Sequence, residues 1–164
     1  MQSISDANYH GSLSLTGVDQ FLTFILGAET YGIDILRVQE IKGWEEPTCI
    51  PNMPDYIKGV INLRGAVIPI VDLRQRFSLR EVSYDHTTVV IIVQVKNDDG
   101  SHKAVGIVVD GVSDVHDIDL TSLQPSPKVA SAISDAYIRG LATLEGKMVI
   151  VLNVDELVNM GLFA

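Results

Sequence analysis

Four histidines and one cysteine are the side chains of this sequence best suited to holding a metal or attacking a substrate. His10, His86, His102 and His116 stand singly. No two of them fall at the three- or four-residue spacing that places both on one helix face, and none joins Cys49 in a ligand-spaced set. Cys49 sits between Thr48 and Ile50, with Pro47 and Pro51 close by. No basic neighbour is present to lower its pKa, so it is expected as a buried, inert thiol. Neither a glycine-rich phosphate loop nor the Gly-x-Ser-x-Gly elbow of hydrolases occurs. Asp110, Asp114, Asp117 and Asp119 form an acidic stretch that misses the glycine and terminal glutamate of a calcium loop. It reads as a solvated strand edge whose charges block edge-to-edge pairing. No catalytic residue, metal or cofactor is therefore assigned.

Composition narrows the partners. The 164 residues are 46% hydrophobic and carry a net charge of −9, which repels nucleic acid and anionic lipid at long range. Single-strand binding would need exposed aromatics beside Lys and Arg, and the chain has one Trp, four Phe and five Tyr. Apolar runs such as Val89–Val93 and Met148–Leu152 are far shorter than the ~20 residues of a membrane helix, so membrane insertion is not expected. With a lone cysteine there is no disulfide framework, and residues 1–17 have neither the basic start nor the apolar run of a signal peptide. They read as a flexible N-terminal tail. A cytoplasmic protein is expected.

The rest of the chain must supply the scaffold, and its pattern is mostly β. Phe21–Leu26 and Tyr31–Asp34 read as strands around a turn at Ala28-Glu29-Thr30, while Ile35–Trp44 is ambiguous and leans to strand. Three prolines between Pro47 and Pro54 demand an ordered loop. Ile57–Leu63 and Ala66–Val71 form a hairpin around Arg64-Gly65, and Asp72 is placed to cap a short helix, Leu73–Phe77. Thr87–Val95 and Lys103–Val109 pair around Asn97-Asp98-Asp99-Gly100, and Gly111–Ile118 continues as strand. A helical turn is expected at Val129–Ile133, a strand at Met148–Leu152 and a C-terminal helix at Val154–Met160.

An internal repeat organises these elements. Tyr31–Ile41 aligns with Val105–Val115, matching Gly32 to Gly106, Val38 to Val112 and Glu40 to Asp114. Ile57–Gly65 aligns with Ile138–Gly146, matching Gly59 to Gly140 and Gly65 to Gly146. The chain is thus two related β units, roughly 18–80 and 86–160, each of about five short strands. Small packed barrels follow, since one unit alone buries too little apolar surface. Catalytic groups can converge from distant positions, so a small-ligand sensor or enzyme using a groove between the barrels stands as the competing reading.

Three ordered segments carry a family resemblance. Phe21-Leu22-Thr23-Phe24 with Tyr31-Gly32-Ile33-Asp34-Ile35-Leu36-Arg37-Val38-Gln39-Glu40-Ile41, the stretch Ile57–Gly65 running on to Val67–Arg74, and Val105–Val115 together resemble the CheW family of chemotaxis adaptors. The resemblance spans Gln20 to Asn159. It implies two pseudo-symmetric five-stranded SH3-like β-barrels around a shared core, with short helices including one at the C-terminus, so that residues 18–164 form one CheW-like domain. It also implies a non-catalytic adaptor linking the helical tip of chemoreceptors to the regulatory domain of a CheA-type histidine kinase, recruited to membrane-bound receptor arrays. By position, Arg64 is the leading partner contact. Glu40, the carboxylate placed near it, Val38, Gly59, Gly65, Val89 and Val90 belong to the same inferred surface.

Overall fold

The computed structural model describes residues 18–77, 82–125 and 135–162. The N-terminal tail and the helical turn expected at Val129–Ile133 lie outside these residues. Ten strands are present: β1 (Val18–Leu26), β2 (Glu29–Asp34), β3 (Val38–Gly43), β4 (Ile57–Leu63), β5 (Ala66–Asp72), β6 (Val89–Lys96), β7 (His102–Val109), β8 (Gly111–Asp119), β9 (Ile138–Leu144) and β10 (Lys147–Leu152). Helix α1 (Leu73–Arg76) follows β5. Helix α2 (Val154–Glu156) follows β10 and widens into a π-type turn through Leu162. The first turn falls at Gly27-Ala28, with Gly27 at φ +61, so Glu29 and Thr30 already pair with β1. The ambiguous stretch divides into a 3-10 turn, Ile35–Arg37, and then β3.

The strands form two five-stranded sheets, in the orders β8-β1-β2-β10-β9 and β3-β6-β7-β5-β4. Replacing each strand by its repeat mate converts one order into the other, as a pseudo-twofold relation requires. Each sheet nevertheless draws strands from both halves of the sequence. The chain changes sheet between β2 and β3, and again between β7 and β8. Sheets and repeat units therefore do not coincide.

Three apolar clusters explain this arrangement. One lies between the sheets and gathers Phe24 and Leu26 of β1, Ile33 of β2, Ile91 and Val93 of β6, and Ile107 and Val109 of β7. Leu157, Val158 and Leu162 of the C-terminal turn complete it. The second holds Ile68, Ile70, Val90, Ile92 and Val108, and the third holds Phe21, Ile118, Val149 and Val151. Successive β6 residues therefore point into different cores, which is why this strand is an unbroken apolar run rather than an alternating one.

Each sheet is closed by one short bridge between its outer strands. Thr48, beyond β3, exchanges two backbone hydrogen bonds of 2.9 Å with Val60 of β4. Gln124, beyond β8, does the same with Leu141 of β9 at 2.9 and 2.7 Å. Gly59 sits at a register shift beside the first bridge, at φ +137, and a Cβ there would run into the Thr48 carbonyl. Gly140 occupies the matching place, where a Cβ would lie 2.9 Å from the Gln124 carbonyl oxygen. The repeated glycine is a consequence of barrel closure.

Three exposed aspartates stabilise turns. Asp85, Asp99 and Asp119 accept hydroxyl and backbone bonds from Thr87, Ser101 and Thr121, which hold their carboxyls below the usual range. A depressed folded pKa adds stability above the unfolded pKa, and that stability is lost as pH falls through the folded value. Asp119→Asn should accordingly shrink the pH dependence of stability on the acid side; an unchanged acid limb would refute the assignment. For closure, Gly59→Ala should destabilise by about 2–4 kcal/mol, combining backbone strain with overpacking. Gly100→Ala, where φ is +91 but the space is open, should cost about 1 kcal/mol. Equal denaturation midpoints for the two variants would remove the closure role.

Candidate partner-binding surface

The β4–β5 hairpin turns on two residues that both have positive φ, Arg64 at 51° and Gly65 at 88°. This primed geometry matches the twist of the flanking strands. A glycine meets it freely, whereas a residue with a Cβ pays about 1–2 kcal/mol. The Gly65 N–H donates to Asn62 Oδ1 at 3.0 Å, which fixes the turn. Arg64 is thereby pushed outward, with its side chain 68% exposed, and its guanidinium pairs with the carboxylate of Glu40 on β3. The pair spans the seam between the outer strands of its sheet. Given its exposure, it adds at most about 1 kcal/mol to folding. A strained, outward arginine that contributes so little to stability is suited to contact, because its planar fork can engage a carboxylate or carbonyl in two parallel bonds.

The same sheet also exposes apolar side chains. Ile41, next to Glu40, is 43% exposed, and Val67, just past the turn, is 67% exposed. Their repeat mates Val115 and Met148 are also exposed. The residue corresponding to Arg64 is Glu145, again at φ 51°. These positions were absent from the sequence-based site, although the repeat alignment itself pairs them.

The remaining expected site residues separate. Val38 is half-buried, lies opposite Val93 and packs on the central core. Val89 is half-buried at the other end of β3, opposite Gly43. Val90 is 2% exposed inside its barrel, so its side chain has no surface to offer. Gly59 is buried at the closing bridge, and only Gly65 lies beside Arg64 in the open turn. Cys49 corrects a further expectation, for it is exposed. The bridge is made by the backbone of Thr48. Cys49 lines a shallow groove with Trp44, Glu46, Pro47, Lys58 and Tyr84, whose floor is the Trp44–Tyr84 stack at 4.2 Å.

A buried ionic cluster lies beneath this region. Arg74, from α1, is 2% exposed and donates to Asp72 Oδ1 and Oδ2 at 3.0 Å and to Asp110 Oδ1 at 2.9 Å. Tyr84 donates its hydroxyl to Asp72 Oδ2 at 2.6 Å, and Asp110 Oδ2 accepts from the Gly27 N–H at 2.7 Å. Asp110 therefore does not belong to the solvated edge expected for the acidic stretch. Burial works against the Arg74 cation, but the bonds to Asp72 and Asp110 overcome it and make the group more basic than usual. Burial, followed by the Asp72 bond, raises Tyr84 above its ordinary value. Acid–base catalysis needs groups poised near neutral pH, and this cluster is driven the other way. Among the described residues no group of three or more His, Cys, Asp or Glu could hold a metal, and no helix is long and apolar enough to cross a membrane. Apolar side chains fill the core between the sheets, and the groove at its rim, lined by Asp34, Leu36, Arg37, Gln94, Lys96 and His102, is open.

Comparison with known proteins agrees with this geometry. The CheW-like domain model matches residues 20–161. The chain is 46% identical to the chemotaxis protein CheW of Klebsiella aerogenes over 140 residues, covering 85% of this chain and 81% of that one. It is 36% identical to the chemotaxis protein CheW of Rhizobium meliloti, covering 85% and 87%. The crystal structure of the scaffolding protein TtCheW from Thermoanaerobacter tengcongensis superposes with a TM-score of 0.74 at 34% identity, covering 85% of this chain and 86% of that one. The two five-stranded sheets and the match along nearly all of the described chain place it with non-catalytic scaffolds: this chain belongs to the CheW family of chemotaxis proteins.

Proposed function

We propose that the protein is a cytoplasmic adaptor that couples the helical tips of chemoreceptors to the regulatory domain of a CheA-type histidine kinase within membrane-bound receptor arrays. The observation that carries this reading is Arg64, strained and outward, on a sheet that also exposes Ile41 and Val67. An adaptor needs such partly apolar faces with polar rims rather than an enclosed pocket. Contacts of about micromolar strength suffice, because many of them act together in an array. A receptor state that shifts the relative placement of kinase and adaptor then transmits a signal worth a few kcal/mol.

The direct test is co-sedimentation of the protein with a kinase and a receptor cytoplasmic fragment. All three should pellet together, and failure to bind either partner at tens of micromolar would overturn the reading. Arg64→Ala should change folding stability by about 1 kcal/mol or less while weakening partner binding by about 1–3 kcal/mol. Arg64→Gly should fold more stably than Arg64→Ala by about 1 kcal/mol, since only the turn strain differs, and should bind as weakly. If binding survives both substitutions, Arg64 is not a contact.

A further inference from the structure

One ion pair ties each short helix to a crossover between the sheets, and the two pairs have reversed polarity: Arg74 and Asp155 are repeat mates, while their partners Asp110 and Arg37 lie in equivalent crossovers, one position out of register. Arg74 lies two residues past the α1 cap, Asp72, and reaches Asp110 in the β7–β8 crossover at 2.9 Å. Asp155 lies two residues past the α2 cap, Asn153, and meets Arg37 in the β2–β3 crossover through two bonds of 3.1 and 2.7 Å. Cation and anion have traded places between the halves.

We infer that this reversal selects the pairing of the two halves and opposes strand exchange between copies of the chain. In the native fold, β1 and β2 are completed by β8, β9 and β10, while β6 and β7 are completed by β3, β4 and β5. The pseudo-twofold offers a second solution, in which β3, β4 and β5 of another copy complete β1 and β2. The backbone permits it, because repeat mates occupy equivalent places, and duplicated chains are prone to such swapping. Charge does not permit it so readily. When two first halves pair, Arg74 of one copy comes to the crossover that carries Arg37 of the other. When two second halves pair, Asp155 comes to the crossover that carries Asp110. Only first half with second half satisfies both clamps. Asp72 neutralises part of the Arg74 charge in every arrangement and so does not discriminate. The side chains of Arg37, Asp155 and Asp110 are 33%, 29% and 37% exposed, partly buried positions where a like-charge contact is felt.

The test is Arg37→Asp combined with Asp155→Arg in the full chain. This swap keeps one opposite-charge pair at each clamp of the monomer but also satisfies every clamp of the exchanged dimer. Wild type and variant are unfolded in guanidinium, refolded at high concentration and separated by size with light scattering. The variant should give a dimer fraction at least about tenfold above wild type, since four contacts change sign. That dimer should persist on dilution in native buffer and revert to monomer only after unfolding and dilute refolding. Arg37→Glu with Asp155→Lys carries the same expectation should the first variant not fold. A folded variant with the wild-type dimer fraction, or a dimer that dissociates on simple dilution, overturns the proposal.

Discussion

The apolar core between the two sheets is the packing interaction on which the rest of the structure depends. A five-stranded sheet of some 65 residues buries too little apolar surface to be stable alone. Here β1, β2, β6 and β7 each turn one face to a common interior, with Phe24, Ile33, Ile91 and Ile107 completely or almost completely buried in it. Exchange of strands between the halves makes the two sheets inseparable, because unfolding one half removes strands from both. The edges are handled locally, by single bridges that require glycine on one side.

Charge is distributed in two ways. Where ion pairs are buried or half-buried, as at Arg74 and Arg37, they join the short helices to the crossovers between the sheets. Such clusters specify an arrangement more than they stabilise it, since desolvation offsets much of the attraction. The exposed pair of Arg64 and Glu40 does neither to any large degree. Its arginine is carried on a backbone conformation that glycine would adopt more easily, as is Glu145 in the matching turn.

Much of this was legible in the residues. The hairpin at Arg64-Gly65, the cap at Asp72, the strand pairs and the glycine correspondences follow from local rules, because turn chemistry and strand periodicity depend on residues close in sequence. The placement of Glu40 beside Arg64 was also expected, from motif positions rather than from any local rule, and the ion pair is present. Local rules failed where burial depends on distant strands. Val90 and Val89 look alike in sequence, yet only the former is almost fully buried, in a barrel interior that β5 and β7 help to build.

Alone, then, the sequence determined the duplication, the β character and the short capped helices, since each rests on contacts within a few residues or on repeated spacing. Tertiary structure alone decided which half completes which sheet, because β1 pairs equally well, as far as pattern shows, with strands of either half. It also decided that Arg74 and Asp110 are partners while Cys49 is exposed. Burial and long-range charge pairing are properties of the assembled strands, and spacing along the chain does not record them.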